Sequence, residues 1–238
     1  MESLAHSIKI LQMPLIRNMR AFIMRHIRPR QRYLSSFTTR PISTKYGFDR
    51  GLPVDRFYIE EFLKNNCDRI QGVCLEVVDS SYTVKFGAQR VTKSNVIDIF
   101  KTRRANICGD LRNMRGVVAD STYDTIILTQ TLNFIDDYDA AIAECVRILK
   151  PEGTLLVTLP TISPTWSPKI NLWRFSERSA RYIFEKFFEP KKLNITVFGN
   201  KITAESFWLG MSVADLTSEE LTGNDATYPV IIGIVAIK

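Results

Sequence analysis

The sequence predicts an α/β fold, a three-layer sandwich in which helices cover both faces of a mostly parallel sheet, and three observations predict it. Residues 122–160 hold a complete strand, crossover helix and second strand. The first strand of that unit, 125–128, is apolar and rich in β-branched residues without alternation, as suits a strand covered on both faces. Further short apolar runs at 72–78, 96–99, 106–111, 154–159, 193–198 and 230–237 complete a set of seven strands. At 238 residues and 45% hydrophobic content, the chain has enough apolar material for one substantial core.

In chain order, residues 1–40 form a basic arm and 41–238 the folded domain. Met1 to Tyr46 carry nine Lys and Arg residues against the single acid Glu2, so in a chain of net charge +7 the remainder is one unit negative. Between 7 and 33, Ile8, Leu11, Leu15, Ile16, Met19, Phe22, Ile23 and Ile27 recur at near-helical spacing among Arg17, Arg20, Arg25 and Arg28, with Pro14 breaking the pattern early. Such a helix suits an anionic membrane surface and packs equally well on the domain or on a partner. Acid-poor and Arg-rich, it would also pass for a mitochondrial presequence. The near-neutral remainder argues against a nucleic-acid groove in the fold, so no specific nucleic-acid partner is expected. With no apolar run of roughly 18 residues and no secretory cleavage signal, the expectation is a cytoplasmic protein, with a peripheral place at the inner membrane face open to the arm.

Histidine and cysteine usage excludes whole classes of chemistry. Both histidines, His6 and His26, lie in the arm, which removes zinc hydrolases and His-based triads from the domain. Cys67, Cys74, Cys108 and Cys145 stand singly in apolar segments. They lack the close pairing of metal sites or disulfide frameworks, so no metal is expected and all four are taken as reduced core residues.

The domain opens on a loop at 44–53 with two glycines and a proline, followed by a helix at 54–64 with the stripe Tyr58, Ile59, Phe62 and Leu63. Asp49, Arg50, Asp55 and Arg56 crowd the entrance of that helix. After the strand at 125–128, Asp136, Asp137 and Asp139 supply capping oxygens and negative charge for the crossover helix. In it Ala141, Ile142, Cys145, Val146, Ile148 and Leu149 recur at spacings of three and four, which leaves Asp139, Glu144 and Arg147 on the outer face. Pro151 and Gly153 stop it before the next strand, and the crossover should be right-handed. The loop 161–172, with Pro164, Trp166 and Pro168, leads to a helix at 179–188 capped by Ser176. A helix at 204–216, with Phe207, Trp208 and Met211, separates the last two strands.

Asp124 before its strand, the polar loop Thr129, Gln130, Thr131, and then RILKPEG and LLVT together resemble the second half of a class I S-adenosylmethionine-dependent methyltransferase of the type 11 group. The resemblance runs from about Pro41 to the C-terminus. It extends to a bacterial subgroup associated with glycosyltransferases and glycan biosynthesis, through PIS, YGFDRGLPVDRFYIEEFL, VTKSNV and NLWRFS. It implies a Rossmann-like sheet of seven strands with an antiparallel last strand, S-adenosyl-L-methionine as cofactor, and a site at the carboxyl ends of the strands where their order reverses. The family usually has Pro-Gly-Gly where this chain has Pro151, Glu152 and Gly153.

Carried over position by position, the resemblance implies cofactor binding by Glu76, Asp79, Gly87, Asp98, Ile99, Asp110, Leu111 and Thr129. Glu76 matches the acid within the first strand. Asp98 would accept from both ribose hydroxyls, as a carboxylate can; read from the residues alone it is equally a helix or turn cap. Asp110 would meet the adenine, with Leu111 against the ring, and Arg56 or Tyr58 would reach the cofactor from the preceding segment. One departure stands out. The glycine-rich turn that lets backbone approach the cofactor is missing, because LEVVDSSYTVKFG places Val78, Ser80 and Tyr82 at the glycine positions. Of the subgroup's Gly-Asp, Tyr-Thr and Phe-Gly, the chain keeps Asp79, Tyr82, Thr83, Phe86 and Gly87 and loses the first glycine to Val78.

The implied reaction is methyl transfer to an oxygen or nitrogen of a small-molecule or glycan acceptor, with a sugar of a bacterial surface glycan as the first guess. No catalytic residue is assigned: Asp136, Asp79 and Tyr82 are candidate bases, and nothing in the sequence selects one. The alternative is a degenerate, non-catalytic module that docks or regulates within a glycan-assembly complex, the arm meeting a glycosyltransferase partner. The turn after the first strand discriminates between the two.

Overall fold

The computed structural model describes residues 39–165 and 170–238, so the arm helix expected at 7–33 lies outside the described residues. Two compact units emerge, one of residues 39–58 with Gly199–Val230 and the other of Ile59–Phe198 with Ile231–Lys238.

The larger unit contains the sheet: β1 (Gly72–Val77), β2 (Val91–Asp98), β3 (Ile107–Cys108), β4 (Tyr123–Thr129), β5 (Leu149–Pro160), β6 (Leu193–Phe198) and β7 (Ile231–Ile237). Their spatial order is β3-β2-β1-β4-β5-β7-β6. β7 runs antiparallel to β5 and β6, and the other pairings are parallel, as expected. Period-two alternation sends Leu75, Ile126, Leu128, Leu155, Val157, Ile232 and Ile234 to one face, where they pack with residues of α2 (Tyr138–Ile148) and α3 (Glu177–Phe184). The helix that precedes β1, α1 (Val54–Asn65), brings Phe62 against the other face: a Cβ on Gly233 would come within 2.4 Å of its ring. Two covered faces explain the continuous apolar runs. Each fully buried Val, Leu, Ile or Phe contributes about 1.5–3 kcal/mol, so the sheet is the main source of stability.

Several elements differ from the sequence expectation for identifiable reasons. β2 starts at Val91 rather than 96, because its first half pairs with β1 while staying open to solvent and so carries no apolar signal. β3 is only two residues long, paired through Ile97 to Ile107 and Asp98 to Cys108 at the sheet edge. β5 starts at Leu149, directly where α2 ends; the Pro151 to Gly153 stretch sits in a register irregularity between Tyr123 and Thr125 of its partner. Glu152 there adopts φ +63°, the left-handed backbone that a glycine would take without strain. α3 ends at Phe184, four-residue turns carrying the chain on to Phe188, and its cap is the predicted Ser176, which accepts from the Ser179 N–H.

In α2 the cap is Asp137, whose Oδ1 accepts from the Ala140 N–H at 2.9 Å. Glu144, expected on the outer face, is buried instead. Its carboxylate accepts from the Met114 N–H at 2.8 Å and from Arg147 at 3.0 and 2.8 Å. Those Arg147 hydrogen bonds chiefly hold its pKa below the usual carboxylate range. Of the cysteines, Cys74 and Cys145 are core residues whose burial pushes the thiols up to about 11 and about 12. Cys108 is exposed and Cys67 half-buried, against expectation.

The smaller unit holds α4 (Lys201–Trp208) and α5 (Ser218–Thr222). α4 is shorter than the helix expected at 204–216, because Asn200 and Thr203 form a capping box at its start and Gly210 turns at φ +69° just beyond its end. The charged cluster predicted near 49–56 is structural in part: Arg50 pairs with Asp215 at 2.7 Å, with side chains only 6% and 4% exposed. Tyr58 is buried, and its hydroxyl donates to the Leu221 carbonyl at 3.0 Å, so the role suggested for it at a cofactor gives way to a structural one. Among the described residues no helix is long and apolar enough to cross a membrane, and no cluster suited to a metal ion occurs.

Candidate functional site

The order of strands reverses between β1 and β4, which sets a crevice at the carboxyl ends of β1, β2, β3 and β4. Asp79, Asp98, Asp110 and Thr129 all lie there, at or just beyond the ends of those strands.

The turn after β1 is the unusual part. Val78 continues the ladder by donating to the Ile97 carbonyl at 2.9 Å, and the Asp79 N–H then folds back on the Val77 carbonyl at 3.0 Å. Val78 itself sits at φ +74° and is 52% exposed. A turn closed in this way around a positive φ is the rarer, strained form of the γ-turn. A β-branched residue in it is a genuine outlier. The backbone therefore keeps the conformation a glycine would supply, while the side chain is valine.

Glu76 anchors the loop beyond that turn. Buried to 2% exposure, it accepts from the Tyr82 N–H at 3.2 Å and the Thr83 N–H at 2.7 Å. Burial pushes its pKa up against the opposing pull of those hydrogen bonds. Both carboxylate oxygens thus hold the loop, which makes Glu76 a positioning residue. The loop goes on as a single π-type turn, Thr83–Gly87. Gly87 is not at the crevice: a Cβ there would meet Val91 at 2.4 Å and Ile70 at 2.8 Å, both at the amino ends of the strands. It is a packing glycine, which corrects its assignment to the cofactor.

At the end of β2, Asp98 Oδ1 accepts from the Phe100 N–H at 2.9 Å, and nothing among the described residues engages Oδ2. Ile99 is 57% exposed beside it. Asp110 is more committed. Arg112 Nε lies 3.1 and 3.0 Å from its two oxygens, and Arg112 also reaches Asp136 at 2.7 Å. The Arg112 hydrogen bond is the chief reason Asp110 titrates below the usual range. Asp136 is held low first by the Asp137 N–H and then by Arg112, which makes it a poor base. Leu111 points into the core with Met114 and Ile97 rather than lining the crevice.

The sequence singled out the polar loop Thr129, Gln130, Thr131 but gave Gln130 and Asn133 no site role. Gln130 adopts φ +50° and donates its N–H to the Thr158 carbonyl at 3.0 Å. Its Nε2, and Oδ1 of the buried Asn133, are enclosed without a hydrogen-bond partner among the described residues. An unsatisfied buried polar atom costs about 1–3 kcal/mol, so two in four residues beside a strained backbone single out this stretch as a candidate contact for a buried water or a polar ligand group. The polar run QTLN in an otherwise apolar unit was the signal that could have found them. The Asn133 carbonyl accepts from Leu172 and Trp173, and Trp173 Nε1 donates to the Ile135 carbonyl at 2.8 Å, so this edge is closed by the 170–175 segment. Trp166 and Pro168 of the same loop lie outside the described residues.

With that geometry in place, known families and structures can be set beside the core of the larger unit. Residues 63–157 match the methyltransferase domain. The match supports an S-adenosylmethionine-dependent methyltransferase, with S-adenosylmethionine as its cofactor. The fold is shared with a SAM-dependent methyltransferase from Archaeoglobus fulgidus at TM-score 0.53 and 12% identity, covering 77% of this chain and 94% of that one. It is shared also with a possible histamine N-methyltransferase from Thermotoga maritima, at 0.50 and 17%, covering 78% and 91%. The [4+2]-cyclase SpnF has it too, at 0.50 and 14%, covering 77% and 82%. A search of the curated proteins gives no match.

The residues present fit the cofactor unevenly. The left-handed backbone at Val78, the open Oδ2 of Asp98 and the orphaned amides of Gln130 and Asn133 are compatible with it. Asp110 is already engaged by Arg112, which leaves part of its carboxylate for an adenine.

Proposed function

We propose that this chain transfers a methyl group from S-adenosylmethionine to an oxygen or nitrogen of a small-molecule or glycan acceptor, with a sugar of a bacterial surface glycan as the leading candidate. The observation that carries the reading is Val78: the turn has lost its glycine and kept the glycine's backbone at φ +74°. A module that no longer met a cofactor would have no use for a conformation that costs about 1–2 kcal/mol, which weighs against the docking-module alternative. The orphaned pair supports a hydroxyl-bearing acceptor, since Gln130 Nε2 donates, Asn133 Oδ1 accepts, and a hydroxyl group does both. The sugar itself rests on the subgroup resemblance, as does a glycosyltransferase or anionic membrane as the partner of the arm.

The cofactor supplies an already activated methyl group on its sulfonium. What the chain must contribute is alignment, which is worth roughly 7–11 kcal/mol at best, so no strong base is required. The test is calorimetric titration with S-adenosylhomocysteine. Wild type should bind, and Asp98→Ala should bind roughly 10- to 150-fold more weakly while keeping its fold, since losing hydrogen bonds to a charged acceptor costs about 1.5–3 kcal/mol. Absence of binding by folded wild type at millimolar ligand would sink the reading.

A further inference from the structure

The β2–β3 loop has a composition that the cofactor role implied for Ile99 does not account for. Residues 99–104, Ile-Phe-Lys-Thr-Arg-Arg, combine three cations and two large apolar side chains with no acid. Phe100 is 73% exposed and Ile99 57%, and Lys101, Arg103 and Arg104 are exposed as well. The loop is tied to the end of β2 by the Phe100 N–H on Asp98 at 2.9 Å and turns on itself through the Ala105 N–H on Thr102 Oγ1 at 3.1 Å, while residues 99–104 stay exposed. Arg104 approaches Asp79 at 3.7 Å, whereas Lys101 and Arg103 meet no acid among the described residues.

A single exposed apolar residue needs no explanation. An exposed aromatic and aliphatic pair, followed at once by Lys101 and Arg103 with no acid beside them, matches the two halves of a lipid interface: apolar groups enter the boundary between headgroups and acyl chains, and cations meet anionic headgroups. Single-stranded nucleic acid is a weaker fit, because base stacking uses several aromatic platforms and this loop has one, with Ile99 beside it. We propose that residues 99–104 dock this protein on an anionic bilayer, with Phe100 and Ile99 inserted and Lys101, Arg103 and Arg104 at the headgroups. The loop lies outside the basic arm in sequence. It also places the crevice next to the bilayer, because Asp98 is both the foot of the loop and the end of β2.

The experiment uses the full chain and vesicles of phosphatidylcholine with 30% phosphatidylserine (about a third anionic lipid, chosen to saturate the surface term). Because every variant retains the arm, differences between variants report the loop. Replacing Lys101, Arg103 and Arg104 together by Gln should weaken binding about 100-fold at low salt. Lys101→Arg should bind like wild type. Phe100→Trp should show a blue-shifted difference spectrum with these vesicles, quenched by brominated acyl chains, and neither effect with phosphatidylcholine alone. All substitutions fall on exposed side chains, and unchanged melting curves check that the fold is kept. Equal binding by the triple variant, an unquenched indole signal from Phe100→Trp, no binding by wild type, or binding to polyuridylate in place of vesicles would each overturn the proposal.

Discussion

Val78→Gly separates the geometry of the turn from its sequence. Treated as a strand residue, position 78 would lose about 0.5–1 kcal/mol on mutation to glycine through backbone entropy. The chain has already left β1 at Val77, however, and holds Val78 at φ +74°. An L side chain in that region costs about 1–2 kcal/mol, and glycine removes the cost. Val78 is 52% exposed, so the apolar contact given up is under about 1 kcal/mol. These contributions nearly cancel, and Val78→Gly should fall within about 1 kcal/mol of wild type. The informative comparison is with Val78→Ala, which gives up the same contact yet keeps an L residue at positive φ. Glycine should exceed alanine by about 1 kcal/mol, or about 2–4 °C in melting temperature, whereas at an ordinary position alanine exceeds glycine by a similar margin. Chemical denaturation of the three proteins gives the order directly. A second readout is S-adenosylhomocysteine titration, in which Val78→Gly should bind more tightly because the side chain leaves the crevice. An alanine variant more stable than the glycine variant would refute the left-handed turn, and with it the argument that the cofactor backbone survives.

The same geometry sets other outcomes. Gly87→Ala should destabilise by about 1–3 kcal/mol, since its Cβ would lie 2.4 Å from Val91 and 2.8 Å from Ile70, and should leave cofactor affinity per folded molecule unchanged, as a melt paired with calorimetry would show. Arg112→Ala should free Asp110 and tighten S-adenosylhomocysteine binding by up to about fivefold, the scale of an exposed ion pair; weaker binding would instead make Arg112 a ligand contact. The Arg50–Asp215 pair gives a pH signature. Burial raises the pKa of Asp215, but hydrogen bonds from Arg50 and Ser212 outweigh it and the net shift is downward. The pair's contribution is therefore present above the unfolded value of about 3.9 and lost as pH falls through the lower folded value. The stability gap between wild type and Asp215→Asn, measured by denaturation from pH 7 to pH 3, should narrow only at the acid end.

The strand–helix–strand unit at 122–160, the positions of all seven strands and the caps at Asp137 and Ser176 were legible in the chain itself, because local periodicity, β-branching and capping chemistry act within a few residues. The extent of β2 was not, since its exposed first half is held by pairing with β1 rather than by burial of its own side chains. Nor was the fate of Glu144, whose inward turn depends on the Met114 N–H thirty positions away in sequence. At the site, the strand ends carrying Asp98 and Asp110 could be read from position alone. Three things could not: the Arg112 bridge from Asp110 to Asp136, the packing of Gly87 at the amino ends of the strands, and the orphaned amides of Gln130 and Asn133. Each is a relation between groups brought together only when the sheet closes, and a sequence records which groups exist but not which of them find partners. Val78 joins both cases: its identity in the chain announced a missing glycine, and only the tertiary backbone, tied to Ile97 across the sheet, decided that the glycine's conformation would remain.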